Sequence, residues 1–386
     1  MNKVALIRCE SYEIEAVRKA VRRGLGLLGG ASAFAKAGES IVLKLNWLAA
    51  AAPEDAVTTH PAVFRAVAEA LKETGALLSY GDSPAFQAPA LAAKKTGCQA
   101  VGDELGLELA DFVTPVDVFF EGGRQNKKFT VAKAVAECDG LVSLPKLKTH
   151  GLMKFTGCIK NQFGCVPGAL KGEFHVKMPG ANDFAHMLVD LNHWVSPRLY
   201  VMDGIIAMEG NGPRGGTPRA MNLLAFSADP VALDATICRL LEVDPSLVPT
   251  TVFAMEAGCG THKADEIELV GDGFDTFHTP DFDIKRGPLP AFKASGVFKV
   301  LNNALVPRPF IHAERCTRCG TCVRVCPVQP KAVDWHDGIK TAPPSYRYDR
   351  CIRCYCCQEL CPEKAVDLRV PFLRRLFSGK AAQTAR

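Results

Sequence analysis

No run in this sequence approaches the ~18 to 20 uncharged apolar residues that a membrane-spanning helix needs. The best candidate, Trp47 to Ala52, is short and ends at Pro53. Met1 to Glu10 lacks the apolar core of a secretory signal and reads as a first strand, so a cytoplasmic location is expected. Neither sign of charge dominates. The 386 residues carry 46 Lys and Arg against 41 Asp and Glu, a formal +5, and 48% are hydrophobic. That balance excludes a disordered or fibrous chain, and the length accommodates two or three domains.

A glycine-lysine phosphate loop of the Walker type is also missing, and two Gly-x-Gly-x-x-Gly matches are poor dinucleotide fingerprints. Gly24-x-Gly26-x-x-Gly29 follows a helical stretch and reads as a helix stop. Gly210-x-Gly212-x-x-Gly215 follows a strand, but Pro213 and Pro218 come next and the chain returns to strand, so it reads as a substrate loop.

Cysteine, in contrast, is plentiful: nine of the sixteen fall between Cys316 and Cys361. In a reducing compartment such crowding points to metal ligation rather than disulfides. Cys316, Cys319, Cys322 and Cys326-Pro327 form a Cys-x2-Cys-x2-Cys-x3-Cys-Pro motif, repeated 35 residues later as Cys351, Cys354, Cys357 and Cys361-Pro362. Lys331-Ala-Val-Asp334 is echoed by Lys364-Ala-Val-Asp367, so the segment is an internal duplication.

Three cysteines two residues apart wrap three corners of a cubane, while the fourth, before proline, is directed to the partner cluster. One cluster is thus assigned Cys316, Cys319, Cys322 and Cys361, the other Cys351, Cys354, Cys357 and Cys326, leaving Cys356 over. A pair of structural zinc sites is the alternative, but zinc knuckles are usually separated by longer gaps. The region resembles a bacterial-type ferredoxin with two [4Fe-4S] clusters, with a long 24-residue interval between Cys326 and Cys351 that reads as a partner-facing loop. From His312 onward Lys and Arg outnumber Asp and Glu fourteen to seven. These basic residues offset the anionic clusters, and no nucleic acid need be invoked.

Upstream, strand and helix signals alternate, as in an α/β domain with a mostly parallel sheet. Ile41 to Leu45, helix Ala62 to Thr74 stopped by Gly75, and Ala76 to Tyr80 make a βαβ unit. Leu141 to Leu144, Leu199 to Met202 and Leu223 to Phe226 are further strands, Phe184 to Trp194 and Val231 to Leu241 helices, and Phe119 to Val131 a hairpin. The expected boundaries are an α/β domain at 1–290, a linker at 291–311, a small α+β ferredoxin-like domain at 312–370 and a basic tail at 371–386. Val297 to Val306 could form a short docking helix, and the tail could touch an anionic membrane surface.

Ligands of open α/β sheets gather at the carboxyl ends of strands. There the chain places Lys44 and Asn46, Gly81-Asp82-Ser83, Lys146-Leu-Lys148-Thr149-His150, and Asp203-Gly204 leading to Glu209. Between Gly140 and Gly172 stand five lysines, Lys146, Lys148, Lys154, Lys160 and Lys171, and no carboxylate. Unopposed ammonium groups point to a carboxylate or phosphate ligand. Lys44, Asn46, Lys146, Lys148, Lys160 and Asn161 are the candidate substrate-binding residues; His150, Asp203 and Glu209 are the candidate proton-moving residues. Asp82, Asp229 and Asp234 are weaker acid-base candidates, Asp229 reading equally as a helix cap. Cys158 and Cys165 read as small buried hydrophobes rather than ligands.

Lys44-x-Asn46, Thr59-His60-Pro61, Gly81-Asp82-Ser83, Leu144-Pro-Lys-x-Lys-Thr-His150, Thr156-Gly-Cys-x-Lys-Asn161, Glu209-Gly-Asn-Gly-Pro213 and Ala228-Asp-Pro230 together resemble the family called domain of unknown function 362, over about residues 1 to 270. The resemblance implies a redox context in prokaryotes with little oxygen, and it supplies no reaction. The expectation is an oxidoreductase passing electrons from a partner protein through two [4Fe-4S] clusters to a small anionic substrate. The alternative is an electron-transfer adaptor whose α/β domain docks a partner.

Overall fold

The computed structural model describes residues 2–289, 305–338 and 340–371. The strands of its large sheet are β1 (Asn2–Arg8), β2 (Ser40–Lys44), β3 (Leu77–Gly81), β4 (Glu108–Leu109), β7 (Gly140–Ser143), β8 (Lys146–His150), β9 (Lys154–Thr156), β10 (Leu199–Glu209), β11 (Thr217–Ser227) and β12 (Ile267–Gly271). The hairpin β5 (Pro115–Phe119) and β6 (Lys128–Ala132) stands apart. The sheet order is β12-β1-β11-β10-β7-β2-β3-β4, with β8 branching from β10 and β9 folding back on β8. Only β11 and β9 run against the rest. This is the mostly parallel α/β sheet expected from the sequence.

Alternation along the strands explains why both faces are covered. Ala5, Ile7, Leu224 and Phe226 enter one apolar core, while Val4, Leu6, Leu223 and Ala225 enter another. Side chains two apart share a face, so a strand that is apolar throughout must be roofed on both sides. Helices Ile14–Leu27 and Pro61–Lys72 cover the first face and helix Pro230–Leu240 the second. The helix Pro61–Lys72 begins at an His60 cap with Pro61 in its first turn, and Gly75 follows its end at φ 82°. Its Val63, Val67 and Leu71 are fully buried, each contributing about 1.5 to 3 kcal/mol. Gly24 lies inside a helix, where a Cβ would meet the Phe226 ring at 2.5 Å; it permits close helix-sheet packing. The helix stop falls at Gly29 and Gly30, both at positive φ.

The C-terminal unit pairs β13 (Arg308–Ile311) with β16 (Val366–Arg369) and β14 (Val333–Asp334) with β15 (Ser345–Tyr346), around short helices Thr321–Val325 and Cys356–Glu359. One expectation about the linker changes: Arg308–Ile311 belongs to the small domain as a strand, whereas Phe282 and Ile284 are buried in the large domain's core, within its expected bounds. The proposed docking helix at 297–306 falls almost wholly outside the described residues, as does the tail beyond Pro371. The long interval between the two motifs forms the β14-β15 ribbon, and its Trp335 covers Gly320.

Candidate functional site

The two cysteine motifs fold alike because they share backbone demands. Arg318 and Gly320 in the first, and Arg353 and Tyr355 in the second, all take left-handed φ of 58 to 74°. This curls each loop so that its thiols face inward. Cys316, Cys319, Cys322 and Cys361 ring one cavity, and Cys326, Cys351, Cys354 and Cys357 ring the other. Each motif's fourth cysteine therefore crosses to its neighbour's cavity, which matches the cubane spacing. Among the described residues no three His, Cys, Asp or Glu converge as ligands of a single ion do. The quartets surround a space instead, which suits a polynuclear cluster better than zinc. The repeated Lys-Ala-Val-Asp has a role here: the Ala332 and Ala365 amides donate to Cys326 Sγ and Cys361 Sγ at 3.4 and 3.3 Å. Tyr346 donates to Cys357 Sγ at 3.3 Å.

The small domain docks on the carboxyl end of the sheet. Gln358 Nε2 donates to Asn211 O, Asn211 Oδ1 and Gly212 O at 2.9 to 3.0 Å, and Asn211 Nδ2 donates to Asp367 Oδ1 at 2.6 Å. The glycine-rich segment 210–216, expected to be a substrate loop, is thus mainly a docking loop, with Pro213 alone of its residues reaching the cavity described next.

That cavity, of about 80 Å³, lies between the domains. The large domain contributes Asn46, Lys148, His150, Lys160, Asn161, Lys171 of the five-lysine segment and, unanticipated, His175; the small domain contributes Val325, Cys356, Glu359 and Leu360. His150 accepts at Nδ1 from the Leu152 and Met153 amides (3.1 and 3.3 Å) and faces Glu359 Oε1 across 3.1 Å with Nε2. A neutral His150 therefore carries its proton on Nε2. Burial would raise Glu359, but the His150 imidazole and the Lys160 ammonium outweigh it and hold the carboxyl at about 2. Burial lowers Lys148 well below its ordinary value, with Lys160 and Lys146 adding to the effect. It brings Lys171 to about 7 and His175 to about 4.

The remaining predicted residues divide. Lys44 stands behind the cavity wall, its Nζ 2.9 Å from Asp82 Oδ1 and 3.2 Å from Asn161 Oδ1, which also accepts from Asn46 Nδ2 at 2.7 Å. Lys146 and Asp203 do not reach the cavity. Lys146 Nζ meets Asp203 Oδ2 at 2.9 Å and Tyr12 Oη at 2.8 Å, and Tyr12 donates to Asp203 Oδ1 and stacks on His60 at 3.6 Å. Strand β10 does not end at Asp203 but continues to Glu209, leaving Asp203 fully buried in mid-strand. Glu209 faces away, accepting from the Asp283 amide at 3.0 Å with Arg219 at 3.9 Å. Lys154 caps backbone carbonyls of Lys285 and Gly287. Asp229 is the cap of helix Pro230–Leu240, and Asp234 accepts from the Cys158 amide at 2.8 Å. Cys158 and Cys165 are fully buried.

Comparison with known proteins agrees with this division of the chain. A family model described as "Domain of unknown function (DUF362)" matches residues 41–239, and one described as "4Fe-4S dicluster domain" matches 308–362. The "Thylakoid-associated protein sll1697" of Synechocystis sp. is 37% identical over 272 residues, 69% of this chain and 82% of that protein. A lactate racemase apoprotein structure from Thermoanaerobacterium thermosaccharolyticum aligns with a TM-score of 0.41 at 12% identity, covering 61% of this chain and 55% of that one. Among the described residues no helix is long and apolar enough to cross a membrane. With its iron-sulfur electron-transfer domain at the C-terminal end, the chain belongs to the family of domain of unknown function DUF362.

Proposed function

We propose that the protein is an oxidoreductase in which electrons from a partner protein pass through two [4Fe-4S] clusters to a small anionic substrate in the interdomain cavity. The clusters, gripped by the two cysteine quartets, would supply single-electron transfer. Charge and proton handling fall to this chain's side chains. The observation that carries the reading is the composition of the cavity's two walls: lysines on one, Cys356 and Glu359 on the other. Cys356 adjoins Cys357 in the chain, so a molecule held by Lys148, Lys160 and Lys171 rests against the loop that grips one quartet's contents. The lysine ammonium groups lining the cavity are placed to give a proton to a reduced substrate, while His150, its Nε2 proton facing Glu359, is placed to hold that carboxylate in the cavity wall. A partner protein would meet the module at Cys319, the exposed member of the eight ligand cysteines.

The test uses full-length protein reconstituted without oxygen and reduced with dithionite. Small carboxylates and phosphate-bearing acids that carry a reducible carbonyl or double bond are added singly while the visible absorbance is followed. At least one should restore the oxidised spectrum, and Lys160→Gln should slow that recovery roughly tenfold through the lost charged contact. If no anion reoxidises the protein while an acceptor protein does, the large domain is a docking adaptor and the reading fails.

A further inference from the structure

Counting charges around the cavity limits what can occupy it. Lys148, Lys160 and Lys171 line it and Lys44 stands directly behind, while the carboxylates in the same group are Asp82 and Glu359. Asp82 is engaged by Lys44 at 2.9 Å and Glu359 by His150 at 3.1 Å. The other three ammonium groups have no carboxylate within ion-pair distance among the described residues. Lys148 reaches the Val57 carbonyl, and Lys171 reaches the Ser83 and Val166 carbonyls. Lys160 has no hydrogen-bond partner among the described residues, its Nζ standing 5.3 Å from the Phe163 ring centre. Enclosed cations without counter-charge either lose their protons or hold an anion.

A second hollow, of about 390 Å³ and more open, shares Phe86, Gly172 and Val325 with the cavity. Its charged residues are Lys177, Arg324 and Lys331 against a single carboxylate, Glu173. The excess positive charge thus continues from the interior to the surface along one route, which would concentrate anions at the mouth.

We propose that the cavity's occupant is a small dianion, a dicarboxylate or a phosphate-bearing acid, which enters through this basic groove and brings the lysines to their charged state as it binds. This deepens the reading of the cavity as the substrate site and rests on it. Proton uptake follows from the geometry. In the free protein burial disfavours the charged amines, Lys171 being held at about 7. Asp82, Glu359 and the thiols of Cys165 and Cys356 oppose that effect, while Lys44 and the lysines' mutual repulsion reinforce it. His150 and His175, both held low by burial, also face the set. Two arriving negative charges outweigh the repulsion, so at pH 8 binding draws protons from solvent.

Titration calorimetry of the anaerobically reconstituted holoprotein at pH 8 tests this, run in two buffers of different ionisation enthalpy. The probes are succinate and inorganic phosphate, with acetate and chloride as monoanion controls at matched ionic strength. At least one dianion should bind at least tenfold more tightly than either monoanion, with uptake of about one proton or more. Lys160→Gln should weaken that dianion at least tenfold with the iron content and visible spectrum unchanged, while Lys177→Gln should lower the rate of association and its salt dependence. Succinate against phosphate distinguishes the two sources of the charge. Failure of both dianions to bind, equal affinity for monoanions, absence of proton uptake, or an unaffected Lys160→Gln variant each overturns the proposal. Dianion binding with proton uptake, when no reducible anion of the same charge restores the oxidised spectrum of the reduced protein, would leave this inference standing and remove the oxidoreductase reading.

Discussion

Tyr355 occupies the position that Gly320 holds in the first motif, and it pays for a left-handed backbone that glycine adopts freely. Its φ is 63°, a conformation that costs a side-chain-bearing residue about 1 kcal/mol. Two gains offset this. The ring is 5% exposed, in the apolar cluster with Leu152 and Met153 and close over Gly151, which is worth about 2 to 3 kcal/mol. Its hydroxyl donates to the Pro307 carbonyl at 2.9 Å, worth about 1 kcal/mol. Tyr355→Phe should therefore loosen the seating of this loop by about 1 kcal/mol. Tyr355→Gly should weaken it by about 2 kcal/mol, roughly 30-fold, since losing ring and hydroxyl is partly offset by relief of strain. Tyr355→Ala should be worse than glycine by about 1 kcal/mol, because alanine loses the ring and keeps the strain. Hydrogen exchange at the Leu152 and Met153 amides of the holoprotein reads the opening, with iron content confirming that the clusters are retained. Protection should fall in the order Tyr, Phe, Gly, Ala. Alanine protected as well as glycine would refute the strain argument, and glycine matching the wild type would refute the docking argument.

Other substitutions probe the site itself. A Cβ at Gly164 would stand 1.9 Å from Asp82 Oδ1 and 2.5 Å from Lys44 Nζ, so Gly164→Ala should disturb that buried pair and lower the holoprotein's melting temperature. Breaking such a pair costs about 3 to 5 kcal/mol, and an unchanged melting curve would contradict the packing described. Cys356→Ser should retain the full iron content whereas Cys357→Ser should not; loss of iron from the first would mean that the second motif's ligands are misassigned. His60 is lowered to about 4, burial being the main cause, with Lys146 adding to it against Asp203. Because the folded value lies below the free one, its contribution to stability is present above about pH 6.5 and lost as pH falls through about 4. A His60 imidazole signal titrating near 6.5 in NMR would show that the ring is solvated instead.

The two cysteine quartets were legible in the sequence because their geometry is local: a few residues of fixed spacing determine which thiols share a cavity. The sheet was legible for a similar reason, as strands apolar on both faces demand helices on both sides. The cavity was readable only on its near side. Lys146 and Lys148 stand two apart on β8, which ordinarily places them on one face. Lys146 pairs opposite Asp203 and Lys148 opposite Met208, with an irregular register between, and that bend sends the two lysines to different places. Glu359 and Cys356 come from a distant part of the chain, and no spacing rule joins them to His150. One signal was available: the repeats differ at Tyr355, Cys356, Gln358 and Glu359, which stand where the first motif has Gly320, Thr321, Val323 and Arg324. All four are buried, whereas none of the four counterparts is.

That asymmetry turns a duplicated connector into one with a keyed end and a generic end. The keyed half carries Tyr355, Gln358 and Glu359, all three in contact with the large domain. The generic half keeps Gly320 and Arg324 and leaves Cys319 facing outward. A lineage could therefore alter the residues around Cys319 while the inner joint stays untouched. Transplanting the module onto another scaffold would require rebuilding that joint first.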